Sequence, residues 1–182
     1  MERSVTLIAI FAALIAALGA LPPVSLGSGI PITAQSLGVM LCGTVLGAWR
    51  GGLAALLFVA LVALGLPLLA GGRGGLGVFA GPTMGFVVGF PAAAFVTGFV
   101  MEQLRRMPVG IAAGIASTVG GIIVLYLFGT IGFMMVIGTG LLETLAVLGV
   151  YIPGDLIKVL VAGLVTSGLA RARPASILSR PA

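Results

Sequence analysis

The sequence predicts an all-α membrane protein, a six-transmembrane-helix bundle with both termini in the cytoplasm, and three observations carry that prediction. Hydrophobic residues make up 60% of the chain and the mean hydropathy is +1.31. Only 7% of residues are charged, nine Lys and Arg against four Asp and Glu, where a water-facing domain carries about 25%. The apolar stretches run well past the ~10 residues of a barrel strand, so helices are left as the way to satisfy the backbone in lipid. The 30 Gly and 10 Pro agree, since both are commoner in membrane helices than in soluble ones.

Six stretches qualify as spans: residues 4–21, 35–49, 51–67, 83–103, 108–129 and 154–171. At ~1.5 Å per residue the second and third are short for a ~30 Å hydrocarbon core. The opening Met1, Glu2 and Arg3 lack the net positive charge of a secretory leader, so 4–21 is expected to be an uncleaved first helix. Residues 130–150 are also hydrophobic but are interrupted by Gly132, Gly138, Gly140 and Glu143.

Charge settles the count, because Lys and Arg are retained on the cytoplasmic side during insertion. With six spans, Arg3, Arg50, Arg105, Arg106, Arg171, Arg173 and Arg180 fall inside, leaving Arg73 and Lys158 outside. A seventh span would export the last three arginines. Residues 130–152 are therefore expected to form a partly buried outer segment between helices 5 and 6, holding a short helix. Trp49 and Tyr151 then fall near opposite interfaces. No repeat divides the chain, and residues 1–182 read as a single membrane domain.

Several function classes are excluded. There is no histidine, and Cys42 is the single cysteine, so no disulfide framework, no His/Cys metal site and no Ser/His or Cys/His nucleophile pair can be assembled. Lys158, the one lysine, is followed by Val159, so there is no phosphate-binding P-loop. The net charge of +5 is dispersed over cytoplasmic turns without interleaved aromatics, which fits topology better than nucleic-acid binding. No catalytic residue, metal or cofactor is expected.

The outer half collects the unusual residues: Thr33 and Gln35 at the start of helix 2, Arg73 in a glycine-rich loop, and Asp155 with Lys158 at the start of helix 6. Ionisable groups at membrane depth are expensive and tend to face a bundle interior or a wet cavity. Three outer segments with polar groups can converge on one pocket. Each also has a plain structural role open to it. Asp155 could cap helix 6 with Lys158 pairing to it three residues on. Thr33 could cap helix 2 with Gln35 facing water, and Arg73 could be a solvated loop cation. Glu143 is expected to be solvated. Residues 72–77 match G-x-G-x-x-G, but the strand and helix of a dinucleotide site are missing.

On helix 1, Ala9, Ala13 and Ala17 recur every four residues, as do Ala12, Ala16 and Ala20. Small residues at this spacing let helices approach closely in lipid, either within the bundle or against a partner subunit.

Four short stretches come in an order that resembles the BioY family, the biotin-specific substrate-binding (S) components of energy-coupling factor (ECF) transporters. They are Ile30, Pro31, Ile32, Thr33, Ala34 and Gln35; Gly65, Leu66 and Pro67 leading into the Arg73 loop; Gly81, Pro82 and Thr83; and Pro153, Gly154 and Asp155 with Lys158. The family usually carries Gly-Gly-Tyr after Gly-Pro-Thr, whereas Met84, Gly85 and Phe86 stand here. The resemblance implies biotin as transported ligand, held by Thr33, Gln35, Arg73, Asp155 and Lys158, with the first outer loop closing over it. It also implies a bacterial cytoplasmic (inner) membrane location and an ECF module of a transmembrane coupling subunit and cytoplasmic ATPases, with Ala9, Ala13 and Ala17 on the surface facing the coupling subunit. Asp155 would accept from the ureido N–H groups, and Lys158 or Arg73 would meet the carbonyl or the tail carboxylate. Phe79, Phe86 and Leu66 are placed as apolar walls by position. Other readings are an S component for another small vitamin, a non-binding structural membrane subunit, or a membrane enzyme.

Overall fold

Where no water is at hand to satisfy the backbone, apolar runs become helices. The computed structural model describes residues 2–25 and 30–180; the central part of the first outer loop, 26–29, lies outside them. The helices are α1 (Glu2–Gly19), α2 (Gln35–Leu46), α3 (Ala48–Ala63), α4 (Met84–Gln103), α5 (Val109–Ile137), α6 (Leu141–Gly149) and α7 (Ile152–Ala172). A small hairpin pairs β1 (Val24–Ser25) with β2 (Pro31–Ile32) between α1 and α2. Among the described residues, α4, α5 and α7 are long and apolar enough to cross a membrane, and α1, α2 and α3 are shorter apolar helices.

The expected break at residue 50 falls instead at Gly47. This one residue joins α2 to α3 with φ of +84°, a conformation glycine adopts without the Cβ penalty of other residues. The Ala48 N–H that opens α3 donates to Glu102 Oε1 at 2.8 Å, so a carboxylate from α4 meets the positive end of the α3 dipole. Gly98 of α4 packs on the same joint: a Cβ there would lie 2.3 Å from Ala48 N. With 12 and 16 residues, α2 and α3 are roughly 18 and 24 Å long.

The helix α5 runs further than the sequence suggested. Residues 119–124 wind as a π-turn and the helix continues to Ile137, ending at Gly138 with φ of +78°. Residues 130–137 are thus helical, and the connection to α7 shrinks to 138–151. It does contain the short helix, α6, which buries Thr144 and Leu148 and exposes Glu143.

The core lies between α1, α2, α3 and α4, around Ile15, Val39, Leu46, Phe58 and Phe90. The hydroxyls of Thr44 and Thr166, 2.9 Å apart, tie α2 to α7. After α7 the chain folds back under the bundle. The backbone N–H of Ser179 donates to Val45 O at 3.1 Å and its hydroxyl to Thr44 O, which satisfies carbonyls at the end of α2. On α1, Ala9, Ala13 and Ala17 are exposed, while Ala12 of the second alanine row is buried.

Candidate ligand-binding site

At the end of the bundle away from Gly47, five stretches of chain line a cavity of about 660 Å³, counted together with the open solvent at its mouth. All five residues singled out in the sequence line it: Thr33, Gln35, Arg73, Asp155 and Lys158. A mostly apolar lining with a few convergent polar groups is the usual make-up of a ligand site.

The charged corner is built on α7. Asp155 does not cap this helix, because Ile152 opens it and no side chain caps it. Instead, one turn brings Lys158 Nζ to 2.7 Å from Asp155 Oδ1. Lys158 also donates to Ser36 Oγ at 2.9 Å, and the Ser36 hydroxyl in turn reaches Asp155 Oδ1 at 3.4 Å. The other carboxylate oxygen, Oδ2, accepts from the Tyr126 hydroxyl at 2.5 Å. Side-chain exposures of 16% for Lys158 and 10% for Asp155 make this a largely desolvated pair, strong because the remaining lone pairs are also bonded.

Gln35 is not water-facing. It is 2% exposed, and its amide is committed to backbone: Nε2 donates to Leu68 O at 3.1 Å and Ile15 O at 3.4 Å, while Oε1 accepts from Ala70 N at 3.2 Å. It therefore staples the start of α2 to the loop before Arg73. Thr33 accepts a long bond from Gln35 N at 3.4 Å and supplies no helix cap.

Arg73 is partly buried rather than solvated. Its Nε donates to Ala70 O at 3.2 Å and its Nη1 to Thr83 Oγ1 at 3.4 Å. These bonds hold the guanidinium across the glycine-rich loop and leave further N–H donors for a ligand.

Residues that the sequence reading missed are Ser36, Thr83, Tyr126 and Tyr151, all lining the cavity. Tyr151 was expected at an interface; it is 7% exposed, and its hydroxyl donates to Ile30 O at 2.8 Å. Ile30, Phe133, Leu148 and Tyr151 form one small core, so α6 is the shelf on which the β2 end of the first outer loop rests. Of the expected apolar walls, Phe86 lines the cavity, edge-on to Tyr126 with centroids 5.8 Å apart. Phe79 packs against the main core and Leu66 is 43% exposed; Phe90 and Val87 take their place in the lining.

Comparison with known proteins shows the family and the fold. The model of the BioY family matches residues 2–175. The chain is 57% identical to the biotin transporter BioY of Rhodobacter capsulatus, over 99% of this chain and 100% of that one. It is 50% identical to the biotin transporter BioY of Rhizobium etli, over 89% and 90%. A crystal structure of the S-component for biotin from an ECF-type ABC transporter superposes with a TM-score of 0.88 at 31% identity, covering 93% of this chain and 92% of that one. By sequence and by fold, the chain belongs to the BioY family.

Proposed function

We propose that this protein captures biotin from the outer side of a bacterial cytoplasmic membrane and is the substrate-binding component of an ECF-type uptake transporter. It is a membrane transport component and not an enzyme. One observation carries the ligand reading. Five residues chosen from three separate stretches of sequence meet at one cavity, in a chain 57% identical to a biotin transporter.

The chemistry of biotin suits that cavity. Its ureido ring offers two N–H donors and a carbonyl acceptor, its thioether ring is apolar, and its valerate tail is anionic. Asp155 is the acceptor for ureido N–H groups, with Tyr126 and Lys158 holding its carboxylate in place. Phe86, Phe90 and Val87 cover the apolar ring, and Thr33 and Arg73 supply donors from the two outer loops. Gln35 acts through the backbone it clamps.

The topology follows from charge. Six spans, formed by α1 to α5 and α7, leave both termini cytoplasmic and put the cavity on the outer side, with residues 1–182 acting as a single membrane domain. Energy for import comes from a coupling subunit and cytoplasmic ATPases, the former docking on the exposed Ala9, Ala13 and Ala17. No cofactor takes part.

The test is calorimetric titration of biotin into the purified full chain, with thiamin and riboflavin as controls. Saturable binding of biotin alone is expected. Binding of another vitamin, or of none by protein shown to be folded, would overturn the assignment.

A further inference from the structure

The end of the bundle opposite the cavity holds a group whose bonding is incomplete. Arg180 closes the segment that folds back after α7, and its Nη1 donates to Met107 O, at the turn between α4 and α5, at 2.9 Å. Its Nε and Nη2 are shut off from water and have no hydrogen-bond partner among the described residues. Those two nitrogens form the side-on edge of the guanidinium, the pair of parallel N–H groups that matches two oxygens of one anion. Buried donors in a native fold are nearly always paired, so an unpaired pair points to a group that has yet to bind.

Electrostatics point the same way. Arg105 lies close enough to repel Arg180, and burial together with that like charge pushes the Arg180 guanidinium below its ordinary pKa. Arg105 is itself tied through Nε to Glu102 O at 3.0 Å, and Glu102 is engaged at the Ala48 N–H. Among the described residues, neither Arg105 nor Arg180 forms an ion pair with a carboxylate.

The level of this corner in the membrane identifies the anion. Trp49, 75% exposed, stands at the start of α3 on the same end of the bundle, and indole rings settle at the headgroup layer. Basic pockets between membrane helices at that depth take phosphate headgroups.

We propose that Arg180 and Arg105 form a phosphate-binding site for an anionic phospholipid headgroup at the turn between α4 and α5, with Arg180 Nε and Nη2 gripping two phosphate oxygens. The site lies across the bundle from the ligand cavity and does not depend on the biotin reading.

The experiment is native mass spectrometry of the purified full chain after exchange into detergent micelles doped with phosphatidylglycerol or with phosphatidylcholine, alongside titration with inorganic phosphate. Wild-type protein is expected to retain phosphatidylglycerol selectively. Arg180→Gln and Arg105→Gln are each expected to lose most of that retention, while Arg171→Gln, which removes an exposed charge on α7, keeps it. Binding of inorganic phosphate with the same variant pattern, but no lipid retention, would assign the site to a free anion and overturn the headgroup. Equal loss in Arg171→Gln would mean diffuse charge attraction and also overturn it, as would undiminished retention in Arg180→Gln. Should Arg180→Gln unfold, Arg180→Lys decides the question. It keeps the charge but not the parallel donors, so selectivity falls if the edge is used and stays if it is not.

Discussion

Replacing Asp155 by Asn tests the site at its centre. The carboxylate accepts bonds from Lys158, Ser36 and Tyr126, and in the proposed function it is also the acceptor for ligand N–H groups. A hydrogen bond to a charged group is worth about 1.5–3 kcal/mol. Losing the charge while keeping the shape should therefore weaken biotin binding by roughly 10- to 150-fold at 1.4 kcal/mol per tenfold. A second effect must be separated from the first. The neutral amide leaves the Lys158 ammonium, 16% exposed, without its counter-charge, and breaking a buried pair from one side costs about 3–5 kcal/mol. Some of this is relieved because Ser36 still accepts from Lys158. The double variant Asp155→Asn with Lys158→Met removes both charges and should recover thermal stability without recovering affinity. Calorimetry gives the affinity and a detergent melting curve gives the stability. Wild-type biotin affinity in folded Asp155→Asn would refute a direct role for the carboxylate. Affinity that returns with stability in the double variant would show that Asp155 acts through the fold.

Three further outcomes are expected. Tyr151→Phe removes one hydrogen bond to Ile30 O, worth about 1 kcal/mol; biotin should dissociate roughly fivefold faster with little change in melting temperature, and an unchanged rate in stopped-flow release would count against the tyrosine as a tether. Gly98→Ala forces a methyl group to 2.3 Å from Ala48 N, backbone that cannot step aside, so the melting temperature should fall by the equivalent of about 1–3 kcal/mol; full retention of stability would show that the α2–α3 joint is looser than drawn. Ala13→Leu adds bulk to an exposed face of α1 and should leave biotin binding intact while abolishing co-purification with a coupling subunit, an idea sunk by wild-type recovery of the complex.

Much of this was legible in the sequence because the chain has so few polar residues to spend. In a protein with 7% charged residues, Arg73, Asp155 and Lys158 stand out without any knowledge of the fold, and they do meet at one cavity. What was not legible has physical reasons. Gly132 looked like a helix breaker, as it would be in water. Gly132 instead brings α5 against α4, where a Cβ would lie 2.5 Å from Gly85 Cα, since small residues are contact surfaces in lipid. The break at Gly47 was hidden because Trp49 and Arg50 gave the louder signal two residues later. Tyr126 was passed over inside an apolar run, although both tyrosines of the chain proved to line the cavity. Gln35 was found for the right rarity and given the wrong partner: its amide serves the backbone of a loop 33 residues away, which no local pattern announces.

The charge count of the cavity bears on a choice the sequence left open, namely which cation meets the carboxylate of biotin. Among the lining residues, formal charge rests on Arg73, Lys158 and Asp155. Lys158 is neutralised at 2.7 Å by Asp155, whereas the partners of Arg73 are a carbonyl and a hydroxyl, Ala70 O and Thr83 Oγ1. A cavity closing on a neutral solute would trap an uncompensated guanidinium, and one closing on an anion would not. We therefore propose that Arg73 meets the valerate tail and the Lys158–Asp155 pair the ureido end. Biotin should bind wild-type protein more tightly than its neutral amide by about 1.5–3 kcal/mol, the worth of a charged hydrogen bond. Arg73→Gln should erase that difference, and Lys158→Met should leave it in place while weakening both ligands together. The reverse pattern, with discrimination lost in Lys158→Met and kept in Arg73→Gln, would place the tail at α7 and overturn the assignment.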